Sequence, residues 1–212
     1  MDAPQWERGE IARYARANAS DERIAALIEE CINEAESLIE YRVCYTVDTI
    51  KRCGTELAFC GINTNSAVIS KAVKGCESVL LFAATIGARF DRLIASYSRL
   101  EPSKALILQA IGAERIESLC DAFCRWMDAE LNPSGKGLRP RVSPGYGDIP
   151  LEMQKDFFRI LDCERKIGLT LNESLMMSPS KSVTALAGIG SRGVHHSDKC
   201  SMCEKTDCDF RQ

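Results

Sequence analysis

Apolar positions along this chain recur in two periods. From Ile24 through Leu27, Ile28, Cys31, Ile32, Ala35, Leu38 and Ile39 the spacing is i, i+3, i+4, i+7, the signature of one buried helical face, and Ser20 is placed to cap it. Tyr41–Ile50 and Glu56–Ile62 are rich in β-branched and aromatic residues and read as strands separated by Cys53-Gly54. Asn63-Thr64-Asn65 suits the cap of a helix carrying Val68, Ile69, Ala72 and Val73, with Gly75 as its stop. Ser78–Thr85 is continuously apolar, as expected of a buried strand. Helical periodicity returns through Phe90, Leu93, Ile94 and Tyr97. Pro102 then opens a long helix with Leu108, Ile111, Ile116, Leu119, Cys120, Phe123 and Met127 on its apolar side. It ends before the loop Asn132-Pro133-Ser134-Gly135. A last helix is expected from Pro150 to Gly168, and Ser182–Ile189 reads as a closing strand.

The sum is a mixed helix–strand domain of the α+β class over residues 1–194, followed by a short cysteine-containing tail, residues 195–212. Its 212 residues, 45% of them hydrophobic, suffice for one sizeable core. The net charge of -3 leaves no electrostatic footprint for nucleic acid. No apolar run reaches the roughly 18–20 residues of a membrane span. The first residues lack the basic and apolar regions of a signal peptide, so a cytoplasmic location is expected.

Two segments carry candidate chemistry. In Arg141-Val142-Ser143-Pro144-Gly145-Tyr146, Pro144 and Gly145 make a tight turn that exposes backbone amides. Arg141 offers a planar fork suited to a carboxylate, and Tyr146 adds an apolar face with one hydroxyl. Together they can hold an amino-acid-like ligand; the alternative is an arginine paired with a surface acid beside a plain turn. In the tail, Cys200-x2-Cys203-x4-Cys208 with His196 can form a Cys3His zinc site, or hold an iron–sulfur cluster with an outside ligand. A thiol redox pair or a plain tail remain open readings. The other eight cysteines sit in segments where free Cys is usually a small buried apolar residue. Gly188-x-Gly190-x-x-Gly193 imitates a dinucleotide fingerprint, but no helix follows it.

The Arg141-x-x-Pro144-Gly145-Tyr146 turn, the Gly168-Leu169-Thr170-Leu171-Asn172-Glu173-Ser174 stretch, then Pro179 and Ser182-Val183, resemble in order and spacing the activation domain of cobalamin-dependent methionine synthase. Thr85-x-Gly87 and Glu114-Arg115 agree more loosely. The resemblance implies binding of S-adenosylmethionine and reductive methylation of a corrinoid. Arg141 would grip the ligand carboxylate, Ser143 and Gly145 would supply backbone contacts, and Tyr146 would face the corrin. Glu114 or Glu117 would meet the amino group. This chain departs from the family in lacking the tyrosine pair expected after Ser182-Val183, and it contains no Asp-x-His-x-x-Gly to ligate cobalt. The cobalamin is therefore expected on a partner, a corrinoid protein or cobalamin-dependent methyltransferase, with a flavodoxin- or ferredoxin-type electron donor. The alternative function is a non-catalytic module that binds a corrinoid protein or senses S-adenosylmethionine and carries a structural metal.

Overall fold

The computed structural model describes residues 3–18 and 20–192. In chain order the elements are α1 (Arg8–Tyr14), α2 (Glu22–Ala35), β1 (Arg42–Thr49), β2 (Lys51–Cys53), β3 (Glu56–Phe59), β4 (Ile62–Thr64), α3 (Ala67–Ala72), β5 (Cys76–Thr85), α4 (Ala88–Leu100), α5 (Pro102–Leu131), β6 (Lys136–Leu138), α6 (Gln154–Leu161), α7 (Cys163–Ile167), β7 (Thr170–Leu171), β8 (Met177–Ser178) and β9 (Ser182–Ser191). The main sheet has the order β1-β5-β9-β6, and its strand pairs are all antiparallel. Mixed helix and strand with antiparallel pairing agrees with the α+β expectation.

Strands β5 and β9 are buried along most of their length because both faces of the sheet are covered. Leu80, Phe82 and Ala84 point into a core shared with α1, α2, α4 and α5, where they meet Ile11, Ile28 and Ile111. Their neighbours Val79, Leu81 and Ala83 point into a second core with Ile69 of α3, Phe157 and Leu161 of α6 and Ile167 of α7. Burying each large apolar side chain in this way contributes about 1.5–3 kcal/mol. Gly188 and Gly190 of β9 belong to this packing and to no nucleotide site. A Cβ on Gly188 would lie 3.0 Å from the Ala72 carbonyl and 3.1 Å from the Val73 Cα, and one on Gly190 would lie 3.0 Å from the Gly75 carbonyl. The end of α3 therefore rests directly on the strand.

Several boundaries differ from the sequence expectation, each for a local reason. Asp21, not Ser20, caps α2, accepting from the Arg23 amide at 2.9 Å. Ser66 caps α3, its hydroxyl accepting from the Ile69 amide at 3.1 Å. The expected strand Glu56–Ile62 is a hairpin, because Cys60 and Gly61 both take positive φ (51° and 78°) in a two-residue turn that pairs Phe59 with Ile62. The expected helix 150–168 starts with a short 3-10 turn and is broken at Asp162, whose φ of 54° separates α6 from α7. The short helix α1 has no counterpart in the sequence reading. Of the eight described cysteines, Cys31, Cys44, Cys76, Cys120 and Cys163 are buried, Cys60 and Cys124 are half-buried, and Cys53 is exposed. Burial pushes the Cys31 thiol up to about 11.

The N-terminal segment is held by one buried cation. Arg115 on α5 has 0% of its side chain exposed and pairs with Glu114, itself 2% exposed. The Arg115 guanidinium donates to the Pro4 carbonyl at 2.8 Å and to the Gln5 carbonyl, and lies 4.1 Å from the centre of the Trp6 ring.

Candidate functional site

Beyond β6 the chain continues along the edge of β9. The Arg139 amide donates to the Gly188 carbonyl at 2.8 Å, and Val142 and Leu186 exchange both backbone hydrogen bonds at 2.9 Å. Val142 packs into the core of α6 and α7, so the strand alternation sends Arg141 to the other face, against α5. There its guanidinium donates to Glu117 Oε2 at 2.6 Å and to an Asp121 carboxylate oxygen. Only 9% of the Arg141 side chain is exposed, while Glu117 and Asp121 keep 47% and 42% of theirs.

At Ser143 the edge segment ends in a type II turn. The Tyr146 amide donates to the Ser143 carbonyl at 3.1 Å, Pro144 fills the first central position, and Gly145 has the required positive φ of 87°. The expectation that this turn exposes its amides needs correction. The Gly145 amide donates to the Ile149 carbonyl at 2.9 Å and the Tyr146 amide closes the turn itself. What the turn presents outward is Gly145 and the ring of Tyr146, which is 52% exposed.

The turn is fixed from behind by Asp148. Its carboxylate accepts from the Ser66 hydroxyl, from the Ala67 amide at 2.6 Å and from the Val68 amide at 3.2 Å. Gly147, with φ 59°, passes so near α3 that a Cβ there would lie 2.7 Å from Val68 Cγ2. The Ser66 hydroxyl and the two amides hold the Asp148 carboxyl below its ordinary range. A carboxyl whose pKa is lower in the folded than in the unfolded chain stabilises the fold fully above its unfolded value. That contribution is lost as pH falls through the folded value. The wild-type melting temperature should therefore decline below about pH 4 with a component that is missing in Asp148→Asn. Parallel slopes for the two proteins in a pH series of thermal melts would contradict this role.

The two acids expected near the ligand part company. Glu114 points inward, to Arg115 and to the Ser118 hydroxyl, which donates to it at 2.6 Å. Glu117 stands at the site, joined by Asp121, which the sequence reading did not single out. The available signal was their i, i+4 spacing on one face of α5. Two carboxylates face the Arg141 guanidinium, and Arg125, one turn beyond Asp121 on α5, lines the same surface with a second cation. Beside Asp121 lies a cavity of ≈ 370 Å³ lined by Pro4, Gln5, Glu7, Ser118, Asp121 and Arg125. Glu173 and Ser174 are exposed in the loop between β7 and β8, where the Asn172 side chain accepts from the Met176 amide at 2.9 Å. His196, Cys200, Cys203 and Cys208 lie outside the described residues. Among the described residues no cluster of three or more metal-ligating side chains occurs, and no helix is long and apolar enough to cross a membrane.

An antiparallel sheet between two helical layers, with an arginine-bearing edge segment that ends in a Pro-Gly turn, defines an α+β domain. The chain belongs to the family of the vitamin B12 dependent methionine synthase activation domain, whose family model matches residues 63–192. Among solved structures it is similar to the MetH reactivation domain bound to AdoHcy, with a TM-score of 0.63 and 14% sequence identity. The match covers 87% of this chain and 71% of that one. At that identity the likeness establishes the fold. No curated protein matches the chain.

Proposed function

We propose that this protein binds S-adenosylmethionine at the edge site of Arg141, Glu117 and the Ser143–Tyr146 turn, and supports reductive methylation of a corrinoid carried by a separate methyltransferase. The observation that carries this reading is the family's Arg-x-x-Pro-Gly-Tyr segment, held rigidly against two acids of α5. S-adenosylmethionine carries one carboxylate, one ammonium and one sulfonium, and a cluster of a guanidinium with two carboxylates offers a partner of opposite sign to each end. On binding, the ligand carboxylate takes the place of Glu117 on the Arg141 fork. The half-exposed Glu117 then turns to the ammonium. S-adenosylmethionine supplies the methyl group and an external donor of the flavodoxin or ferredoxin type supplies the electron. The chain itself orients the ligand, with Ser143 and Gly145 in backbone contact and Tyr146 at the corrin side. The tail thiols Cys200, Cys203 and Cys208 hold zinc together with His196, or an iron–sulfur cluster together with an outside ligand, and serve to dock such a donor.

A second reading is a sensor that binds S-adenosylmethionine or a corrinoid protein without catalysis. The absence of aromatic residues in Gly188–Gly193 favours it, because the adenosyl group then lacks a stacking partner there. Anaerobic calorimetry with S-adenosylmethionine, followed by spectroscopic observation of an oxidised corrinoid protein with reductant, separates the two. Saturable binding with recovery of the methylated corrinoid is the expected result. Binding without recovery supports the sensor, and absence of binding rules out the reactivation reading and leaves only the module that binds a corrinoid protein.

A further inference from the structure

Strand β1 is the outer edge of the main sheet, and among the described residues no strand pairs with its far side. It runs for eight residues in unbroken register with β5. Edge strands ordinarily carry a device that stops another chain from adding to them: a proline, a lysine, a bulge or a short length. β1 has none of these. Its Tyr45 and Val47 are instead 44% and 47% exposed. An edge so unguarded is suited to strand addition.

The hydrogen-bonding sense of the strand is fixed by Ile50, whose amide donates to the Glu77 carbonyl at 2.9 Å in continuation of the same register. Backbone groups in an antiparallel pair alternate between the partner and the open side. The even-numbered residues of β1 therefore aim their N–H and C=O groups at β5, while Val43, Tyr45 and Val47 aim theirs outward. The side chains of these three lie on the α5 face, where the Tyr45 ring is centred 5.4 Å from Phe123 and 6.1 Å from Trp126. Cys44 lies on the opposite face, in the core of α6 and α7.

The strand is self-complementary about Tyr45. A two-fold axis through that residue sets Arg42 opposite Asp48 of a second copy, Val43 opposite Val47, Cys44 opposite Thr46, and Tyr45 opposite itself. Each outward-pointing residue then faces another outward-pointing residue, so the free backbone groups of Val43, Tyr45 and Val47 all find partners. Neighbouring registers fail. Centring on Cys44 sets Asp48 against Glu40, two like charges. Centring on Thr46 sets Asp48 against the buried Cys44 and Arg42 against Ile50. Asp48 is held in place by the Thr49 amide, which donates to it at 2.8 Å, and by the Cys60 amide. Arg42 is half exposed and also pairs with Glu40 of its own copy, so its contact with Asp48 selects the register more than it adds strength.

We propose that this chain forms a two-fold symmetric dimer in which β1 pairs antiparallel with β1 of a second copy, joining two four-stranded sheets into one of eight strands. The Arg139–Val142 segment runs along the opposite edge of the sheet, so the Arg141 site stays open in both copies.

Sedimentation velocity of the full chain over a concentration series is expected to show a species of twice the chain mass that dissociates on dilution. Val47→Lys places one ammonium from each copy in the pairing. It is expected to raise the dissociation constant at least about tenfold, with the far-UV circular dichroism unchanged. Amide hydrogen exchange on the wild-type chain gives a readout that needs no variant. The amides of Val43, Tyr45 and Val47 should exchange fast in dilute protein and slow as the dimer fills, whereas those of Cys44 and Thr46 are slow throughout. A chain that stays monomeric at every concentration overturns the inference. That includes a monomer with the three amides protected, since another segment of the same chain then covers the edge. A dimer in which the three amides still exchange fast, or which a folded Val47→Lys leaves intact, overturns it equally.

Discussion

Replacing Arg115 with alanine is expected to lower folding stability by about 3–5 kcal/mol, the range found when one partner of a buried ion pair is removed. The size of the effect follows from what the change leaves behind. Glu114 is 2% exposed, and without Arg115 its charge sits in the core with only the Ser118 hydroxyl as donor. The Pro4 and Gln5 carbonyls lose their donor and the Trp6 ring its cation, so the segment before α1 comes free of α5. Urea denaturation measures the first consequence and limited proteolysis near residues 3–7 the second. An apolar pair of similar volume, Glu114→Leu with Arg115→Met, should recover most of the loss, because the cost lies in the unpaired charge and not in missing attraction. A loss below about 1 kcal/mol for Arg115→Ala would show that water reaches the site and that the pair is not sealed.

The second large effect concerns binding. In Arg141→Ala the affinity for S-adenosylmethionine should fall by about 10–150-fold, since a charge-assisted hydrogen bond contributes about 1.5–3 kcal/mol. Folding stability should change little by comparison, because Glu117 and Asp121 are nearly half exposed and recover water when the guanidinium goes. Glu117→Gln provides the complementary result. It retains the Arg141 contact in neutral form but loses the charge that meets the ammonium, so its deficit should shrink as salt is added. Calorimetry on the three proteins at two ionic strengths reads all of this. Unchanged affinity in Arg141→Ala with the fold intact would remove the edge site from the binding of the ligand.

The sequence made the two-sided strands legible, because a strand covered on both faces cannot alternate and shows as a continuous apolar run. Ser78–Thr85 did so and lies within the central strand β5, while Ser182–Ile189, read as a closing strand, lies within its neighbour β9. The long helix α5, thirty residues in all, announced itself through Pro102 and the helical periodicity from Leu108 to Met127. What escaped were features set by single backbone angles. Cys60 is an unusual residue for a turn position with positive φ, and Asp162 breaks a helix whose apolar spacing continues across the break. The site shows the same division. Arg141 and the Pro-Gly turn are written in the local sequence, whereas the choice between Glu114 and Glu117 depends on which face of α5 turns inward under the Pro4–Trp6 segment and which meets the sheet edge. The two are three residues apart, and the periodicity of α5 alone does not decide between them. Asp121 became visible only through its long-range partner.

The family match begins at residue 63, yet the sheet does not. Strand β1 precedes that point and pairs with β5 over its whole length, from Arg42 opposite Thr85 to Thr49 opposite Ser78. Helix α2, also outside the match, covers Phe82 and Ile111 with Ile28, Cys31 and Ile32. A fragment cut at the family boundary therefore has an open β-edge and an unroofed core, the two conditions under which chains associate instead of folding. The stretch that the family model matches and the stretch that builds the sheet and core are different lengths of the same chain, and the second includes α1, α2 and β1 as well.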